Sequence, residues 1–154
     1  MKNISIVFFF SLFSATVYSQ DVSGKWTGYF TDPVSVDERH SYEIEFIKKD
    51  TCWQAITKTY LKINSKEYYV TCLALVAIDS LSGAFIITEV EELKSNYPFL
   101  IQNCRQRHVL LYSVSNNFEV LTGNWTTTNE SMNCGQGSAT LKKKVPKKRP
   151  LKQN

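Results

Sequence analysis

The chain carries 154 residues, 43% of them hydrophobic, with 18 basic and 14 acidic side chains for a formal net charge of +4. That length accommodates one domain and excludes two. No apolar run reaches the roughly 20 residues of a bilayer span, which excludes a transmembrane helix.

The first predicted element is a leader. Met1-Lys2 is a short basic start, residues 4–13 are almost wholly apolar, and Val17-Tyr18-Ser19 suits a cut after Ser19. This is the layout of a secretory signal peptide over residues 1–19. The mature chain is therefore expected to begin at Gln20 or Asp21 and to be secreted or periplasmic. No Cys stands at the cut to take a lipid anchor.

The body, residues 20–143, reads as a single all-β domain. Tyr42-Glu43-Ile44-Glu45-Phe46 alternates apolar and acidic residues, and Phe118-Glu119-Val120 and Thr88-Glu89-Val90-Glu91 repeat the habit. That period of two belongs to strands, and no segment shows a capped helical stripe. Eight strands are predicted, at about 24–30, 40–48, 52–60, 67–78, 84–92, 105–114, 118–126 and 135–143. Turn signals separate them: Asp32-Pro33, Lys49-Asp50, Asn64-Ser65, Asp79-Ser80 with Ser82-Gly83, Asn96 to Pro98, Asn116-Asn117, and Asn129 to Asn133. Short connections make consecutive strands antiparallel neighbours. Eight such strands close into an up-and-down barrel, which removes exposed edges; a β-sandwich is the alternative. The longer connections, 32–39 and 93–103, are expected to form rims or lids.

The last element is a basic tail, residues 144–154, expected to be extended and disordered. Lys142 to Lys152 holds seven of the 18 basic residues and Lys2 another, leaving ten in the body against all 14 acids, a net −4. The tail is a solvated segment or a contact for an anionic surface, at about 1 kcal/mol per charge on a membrane. Nucleic acid is not an expected partner, because no aromatics interleave the charges.

Gly-x-Trp-Thr is written twice, at Gly24-Lys25-Trp26-Thr27 and Gly123-Asn124-Trp125-Thr126. Residues i and i+2 share a strand face, so each Gly leaves a gap on the face its Trp occupies, where an indole from a neighbouring strand can lie against backbone. Closure makes the first and eighth strands neighbours with the seventh one further away, so two indoles near one end of the barrel are expected to plug it.

Four cysteines in an exported chain suggest disulfides. Cys104 opens the sixth strand and Cys134 the eighth, at one end of the sheet, and this pair is the favoured bridge, worth roughly 3–4 kcal/mol on the loop-entropy model. With Asn64-Ser65 as a two-residue turn, Thr57 faces Cys72, and Cys52 sits too far along to bridge without a bulge. Cys52 and Cys72 are left as buried thiols or a second bridge. No close Cys pair offers a metal site, and no cofactor is implied.

His40 and His108 read as ordinary strand residues, and Glu89, Glu91 and Glu92 as an outward charged face. No nucleophile elbow, phosphate loop or metal-binding helix appears, so no enzyme activity is expected. Asn124-Trp125-Thr126 and Asn129-Glu130-Ser131 are glycosylation sequons if the cell is eukaryotic.

Val22-Ser23-Gly24-Lys25-Trp26-Thr27 resembles the Gly-x-Trp opening strand of lipocalin and avidin-like (calycin-type) barrels, and of the small barrel inhibitors of secreted bacterial metalloproteases. Cys104, Gly123-Asn124-Trp125 and Cys134-Gly135-Gln136-Gly137 are similar to a type of small exported bacterial protein. Lipocalins pair the first Trp with an Arg on the last strand; this chain offers Lys142 and Lys143 there. Avidins follow the first Trp with polar residues; here Gly28-Tyr29-Phe30 follows.

The expected function is therefore that of a binding protein without catalysis. A lipocalin-like barrel would hold a hydrophobic or aromatic ligand, with Trp26, Trp53, Tyr69, Tyr112 and Trp125 as candidate lining residues. The alternative is a protein- or envelope-surface-binding module, such as an inhibitor of a secreted hydrolase. An open aromatic interior would favour the first and a packed interior the second.

Overall fold

The computed structural model describes residues 21–31, 39–50, 52–98, 103–128 and 135–145. They form eight strands: β1 (Gly24–Thr31), β2 (Arg39–Lys49), β3 (Cys52–Ile63), β4 (Lys66–Ile78), β5 (Phe85–Ser95), β6 (Gln106–Ser115), β7 (Phe118–Thr127) and β8 (Gln136–Lys144). Each strand pairs antiparallel with the next, and β8 returns to β1, giving a closed up-and-down barrel. The expected fold class is the one observed, and the sandwich alternative is discarded. The leader, most of the tail, the 32–38 connection, Asn129 and Cys134 lie outside the described residues. Among the described residues no helix is long and apolar enough to cross a membrane.

Local chemistry sets the register. Asn64 and Ser65 have φ of 48° and 65°, and Asn116 and Asn117 have 48° and 67°. Two successive left-handed residues make the tight turn whose twist matches antiparallel strands, and Asn tolerates that conformation best after Gly. The first turn fixes Ile63 opposite Lys66 and therefore Thr57 opposite Cys72; the second fixes Ser115 opposite Phe118. β3 and β4 run closer to their turn than the apolar pattern predicts, because Leu61, Lys62 and Ile63 stay paired beyond Tyr60.

Alternate residues of every strand point inward. Trp26, Tyr42, Ile44, Phe46, Phe85, Ile87, Leu110, Leu121 and Leu141 are fully buried. Small residues on β3, β4 and β8 (Ala55, Ala74 and Ala139) complete the same core cluster. Large side chains from one wall thus meet small ones from the other, and the eight-stranded interior fills with its own side chains. Each fully buried aromatic contributes roughly 1.5–3 kcal/mol of transfer free energy.

The interior has two halves, named here for β1: lower where it begins, upper where it ends. The lower half is apolar. Trp26 meets Phe46 and Tyr112 edge-on at 6.3 Å each, and Phe46 meets Phe85 at 6.2 Å. The upper half holds Phe30 against Trp125 at 5.2 Å and against Tyr42 at 5.8 Å. The expectation that both indoles plug one end is corrected here. Trp125 reaches the carbonyl of Thr31, and Thr31 lies five residues beyond Trp26, about 17 Å along the strand. β1 and β7 run parallel, and Trp26 comes early in one while Trp125 comes late in the other. The two indoles therefore serve opposite halves.

The two motif glycines differ as well. Gly24 has φ of +89° with open space around it, so it turns the chain into β1. Gly123 lies against β6, where a Cβ would stand 2.0 Å from the carbonyl oxygen of Val109.

The lower mouth is closed by the residues just before β1 and by the end of β8. Val22 is buried, and its carbonyl accepts the Trp26 indole N–H at 2.8 Å. Lys143 on β8 lies over the Trp26 ring at 4.8 Å, donates to the Ser23 carbonyl at 3.1 Å and pairs with Glu119 at 2.9 Å.

The wall is weakest between β5 and β6. These strands pair only from Phe85 opposite Leu110 to Thr88 opposite Arg107. On its other side β5 stays paired with β4 up to Ser95 opposite Val70, with register shifts at Thr71/Cys72 and Leu73/Ala74. The upper half of β5 therefore diverges from β6.

Candidate functional site

Behind that divergence lies a buried polar cluster. Phe85, Ile87 and Glu89 occupy alternate positions of β5 and all face inward; Glu89 is 4% exposed. This corrects the expectation of an outward Glu89. Glu91 and Glu92, past the register shift, are exposed. On β6 the same alternation sends Gln106 and His108 inward above Leu110.

Glu89 ties four strands together. Its Oε1 accepts from Thr57 Oγ1 on β3 at 2.6 Å and, more weakly, from Tyr42 OH on β2 at 3.5 Å. Its Oε2 accepts the backbone N–H of Gln106 on β6 at 2.8 Å. Arg105 adds a second stitch across the gap, donating from Nη1 to the Val90 carbonyl at 2.8 Å. Burial pushes the Glu89 carboxyl above its ordinary value, while the bonds from Thr57, Gln106 and Tyr42 pull the other way.

His108 is fully buried with its ring stacked on Tyr42, centroids 4.8 Å apart and 15° between planes. Its Nε2 is 2.9 Å from Gln106 Oε1. An amide oxygen only accepts, so Nε2 carries the proton and Nδ1 is a bare acceptor. Nδ1 is buried and has no partner among the described residues. Desolvation lowers the imidazole to about 3, so the ring is neutral at pH 7.

Cys72 flanks the cluster and receives Asn103 Nδ2 at 3.6 Å. Burial, with Glu89 nearby, pushes its thiol up to about 12. A thiol so raised is not a nucleophile at neutral pH. Tyr97, just after β5, rests edge-on against Tyr68 at 6.3 Å, and burial raises its hydroxyl too. Each of these shifts favours the neutral form of its group. Among the described residues no group of three His, Cys, Asp or Glu is placed to hold a metal.

The five residues expected to line a pocket do not meet in one. Trp26, Trp53 and Tyr112 share the lower half, where Trp53 and Tyr112 pack against the core and Tyr112 donates to Glu119 at 3.0 Å. Trp125 is in the upper half, and also borders an outside cleft of about 420 Å³ with Asn124 and Gln136. Tyr69 sits on the outer wall, with Lys58 over its ring at 4.5 Å and Lys94 at 5.9 Å. A second cleft, about 560 Å³, opens at the rim beside Arg39, His40, Tyr60, Lys62 and Glu67, and none of the five lines it.

Cys52 and Cys72 are free; Cys72 is buried as expected, whereas Cys52 is exposed at the β2–β3 turn. The expected partner of Cys104, Cys134, is outside the described residues. Sequence reasoning missed Glu89, Gln106, His108 and Thr57 as a group. The available signal was parity: Phe85-x-Ile87-x-Glu89 and Gln106-x-His108-x-Leu110 place polar residues on a core face. No family model matches the chain, and no curated protein or solved structure shows significant similarity to it.

Proposed function

We propose that this chain is an exported, non-catalytic binding module of calycin-like architecture that meets a protein partner through the outside of its barrel. The observation that carries this reading is the filled interior: the largest side chains of β1, β2, β5 and β6 occupy it themselves, leaving the lining expected of a lipid carrier engaged in packing. The outer wall of β4–β6 supports it. Leu75 and Leu111 are 52% and 54% exposed and Val109 is 39% exposed. Ile86 pairs with both Ala77 and Val109, which joins these positions into one apolar surface. Contiguous exposed apolar surface marks interaction sites. The leader over residues 1–19 would export the chain, and a Cys104–Cys134 bridge would pin the start of β6 to that of β8.

The test is capture from an envelope fraction on the immobilised mature protein. A partner held by the native chain is expected to be lost from the Leu75→Lys/Leu111→Lys variant at unchanged thermal midpoint, and to survive removal of residues 146–154. Retention by the variant, or loss only on tail removal, overturns the assignment to this face. Tryptophan fluorescence is expected to stay flat on titration with fatty acids.

A further inference from the structure

The polar cluster has one unmet requirement, the Nδ1 lone pair of His108. A buried acceptor left without a donor is costly, and buried polar atoms in native proteins are almost always satisfied by protein or ordered water. Neighbouring groups are already committed. The Nε2 proton goes to Gln106, the Thr57 and Tyr42 hydroxyls go to Glu89, and Asn103 goes to Cys72. Among the described residues no donor answers Nδ1. The barrel wall is also shortest beside this residue. β5–β6 pairing ends one step above the pair Ile87–His108, at Thr88–Arg107, and beyond it the gap is crossed by the Gln106 amide and the Arg105 side chain.

We propose that the upper half of the barrel binds one small hydrogen-bond donor, of the size of a water molecule, on Nδ1 of His108, and that the divergence between β5 and β6 is its route in and out. The filled interior sets the size: Tyr42 covers one ring face, and Trp125 and Ile87 stand opposite His108 on the two adjacent strands. The chemistry is an O–H or N–H donor, because the free atom only accepts. Solvent water and a small alcohol both meet that description. This inference is independent of the outer-wall reading, and either can fail alone.

The experiment is nitrogen-15 and proton NMR of the full mature protein at neutral pH. His108 is expected in the Nε2–H tautomer, with the Nδ1 resonance displaced from that of an unbonded lone pair and a cross-peak from the ring to a bound solvent proton. A methanol titration separates the sources. Persistence of the solvent cross-peak identifies water, and its replacement by methyl contacts identifies a site open to small alcohols. In Arg105→Ala, which removes one stitch across the gap, exchange of the bound donor is expected to be several-fold faster. An Nδ1–H tautomer, or an unbonded Nδ1 with no cross-peak to water or methanol, overturns the proposal. Unchanged exchange in Arg105→Ala overturns the route.

Discussion

Trp125 donates its indole N–H to the Thr31 carbonyl at 2.9 Å, passing over Gly137, which is paired with it across β7 and β8. A Cβ on Gly137 would stand 1.8 Å from that carbonyl oxygen and 2.8 Å from the indole nitrogen. Gly137→Ala is therefore expected to destabilise the barrel by about 2–4 kcal/mol in urea unfolding. Gly24→Ala meets no atoms and only its left-handed φ, so about 1–2 kcal/mol is expected. A reversed order would show that the indole relaxes away from β8.

Glu89→Leu leaves the Thr57 hydroxyl, the Tyr42 hydroxyl and the Gln106 N–H without their acceptor, and about 2–5 kcal/mol of stability is expected to go. Glu89→Gln keeps much of the shape. Because burial raises the native carboxyl, the folded state favours its protonated form. Glu89 thus contributes stability that is complete below the unfolded value and is lost as pH rises through the raised one. The native chain should weaken relative to Glu89→Gln with rising pH; a growing advantage of the native chain would contradict this sign.

His108 acts in the opposite direction. Its folded value of about 3 lies below the ordinary 6.5. Its contribution is therefore complete above pH 6.5 and declines as pH falls towards 3, by up to about 1.4 kcal/mol per pH unit. His108→Phe should remove this slope from stability measured between those limits. A slope unchanged in the variant would assign acid sensitivity to other groups.

Lys143 is held by the Trp26 ring, the Ser23 carbonyl and Glu119 together. Lys143→Met is expected to cost about 1–2 kcal/mol, since its side chain is one-fifth exposed and screening is partial. Lys143→Arg should retain most of that stability, because a guanidinium stacks and donates in the same way. Thermal midpoints of the two variants compare them directly.

The two free thiols should separate cleanly. Exposed Cys52 is expected to react with a thiol reagent in the native protein, and buried Cys72, pushed up to about 12, only on unfolding. Rapid native labelling of Cys72 as well would mean that its burial beside Asn103 is readily lost.

The barrel was legible because its signals are local. Asn64-Ser65 and Asn116-Asn117 specify tight turns by their own backbone preference, and each turn carries its register along the adjoining strands, which is how Thr57 came to face Cys72. The polar cluster was less legible. Proximity in sequence groups Glu89 with Glu91 and Glu92, whereas parity with Phe85 and Ile87 puts it on the core face. The register shifts in β4–β5 then set its neighbours apart from it, and no composition signal marks a bulge.

Alternation and turn chemistry by themselves determined an all-β, antiparallel barrel of eight strands, because side-chain direction in a strand and left-handed turn residues are decided within a few positions. Only the tertiary structure decided which residues meet. Closure and strand stagger put Trp125 beside Gly137 and Thr31 and sent Trp26 to the other end under Lys143. The early parting of β5 from β6 gathered Glu89, Thr57, Tyr42 and Gln106 from four strands. Such meetings depend on shear and closure, which are properties of the whole sheet and are carried by no single stretch of chain.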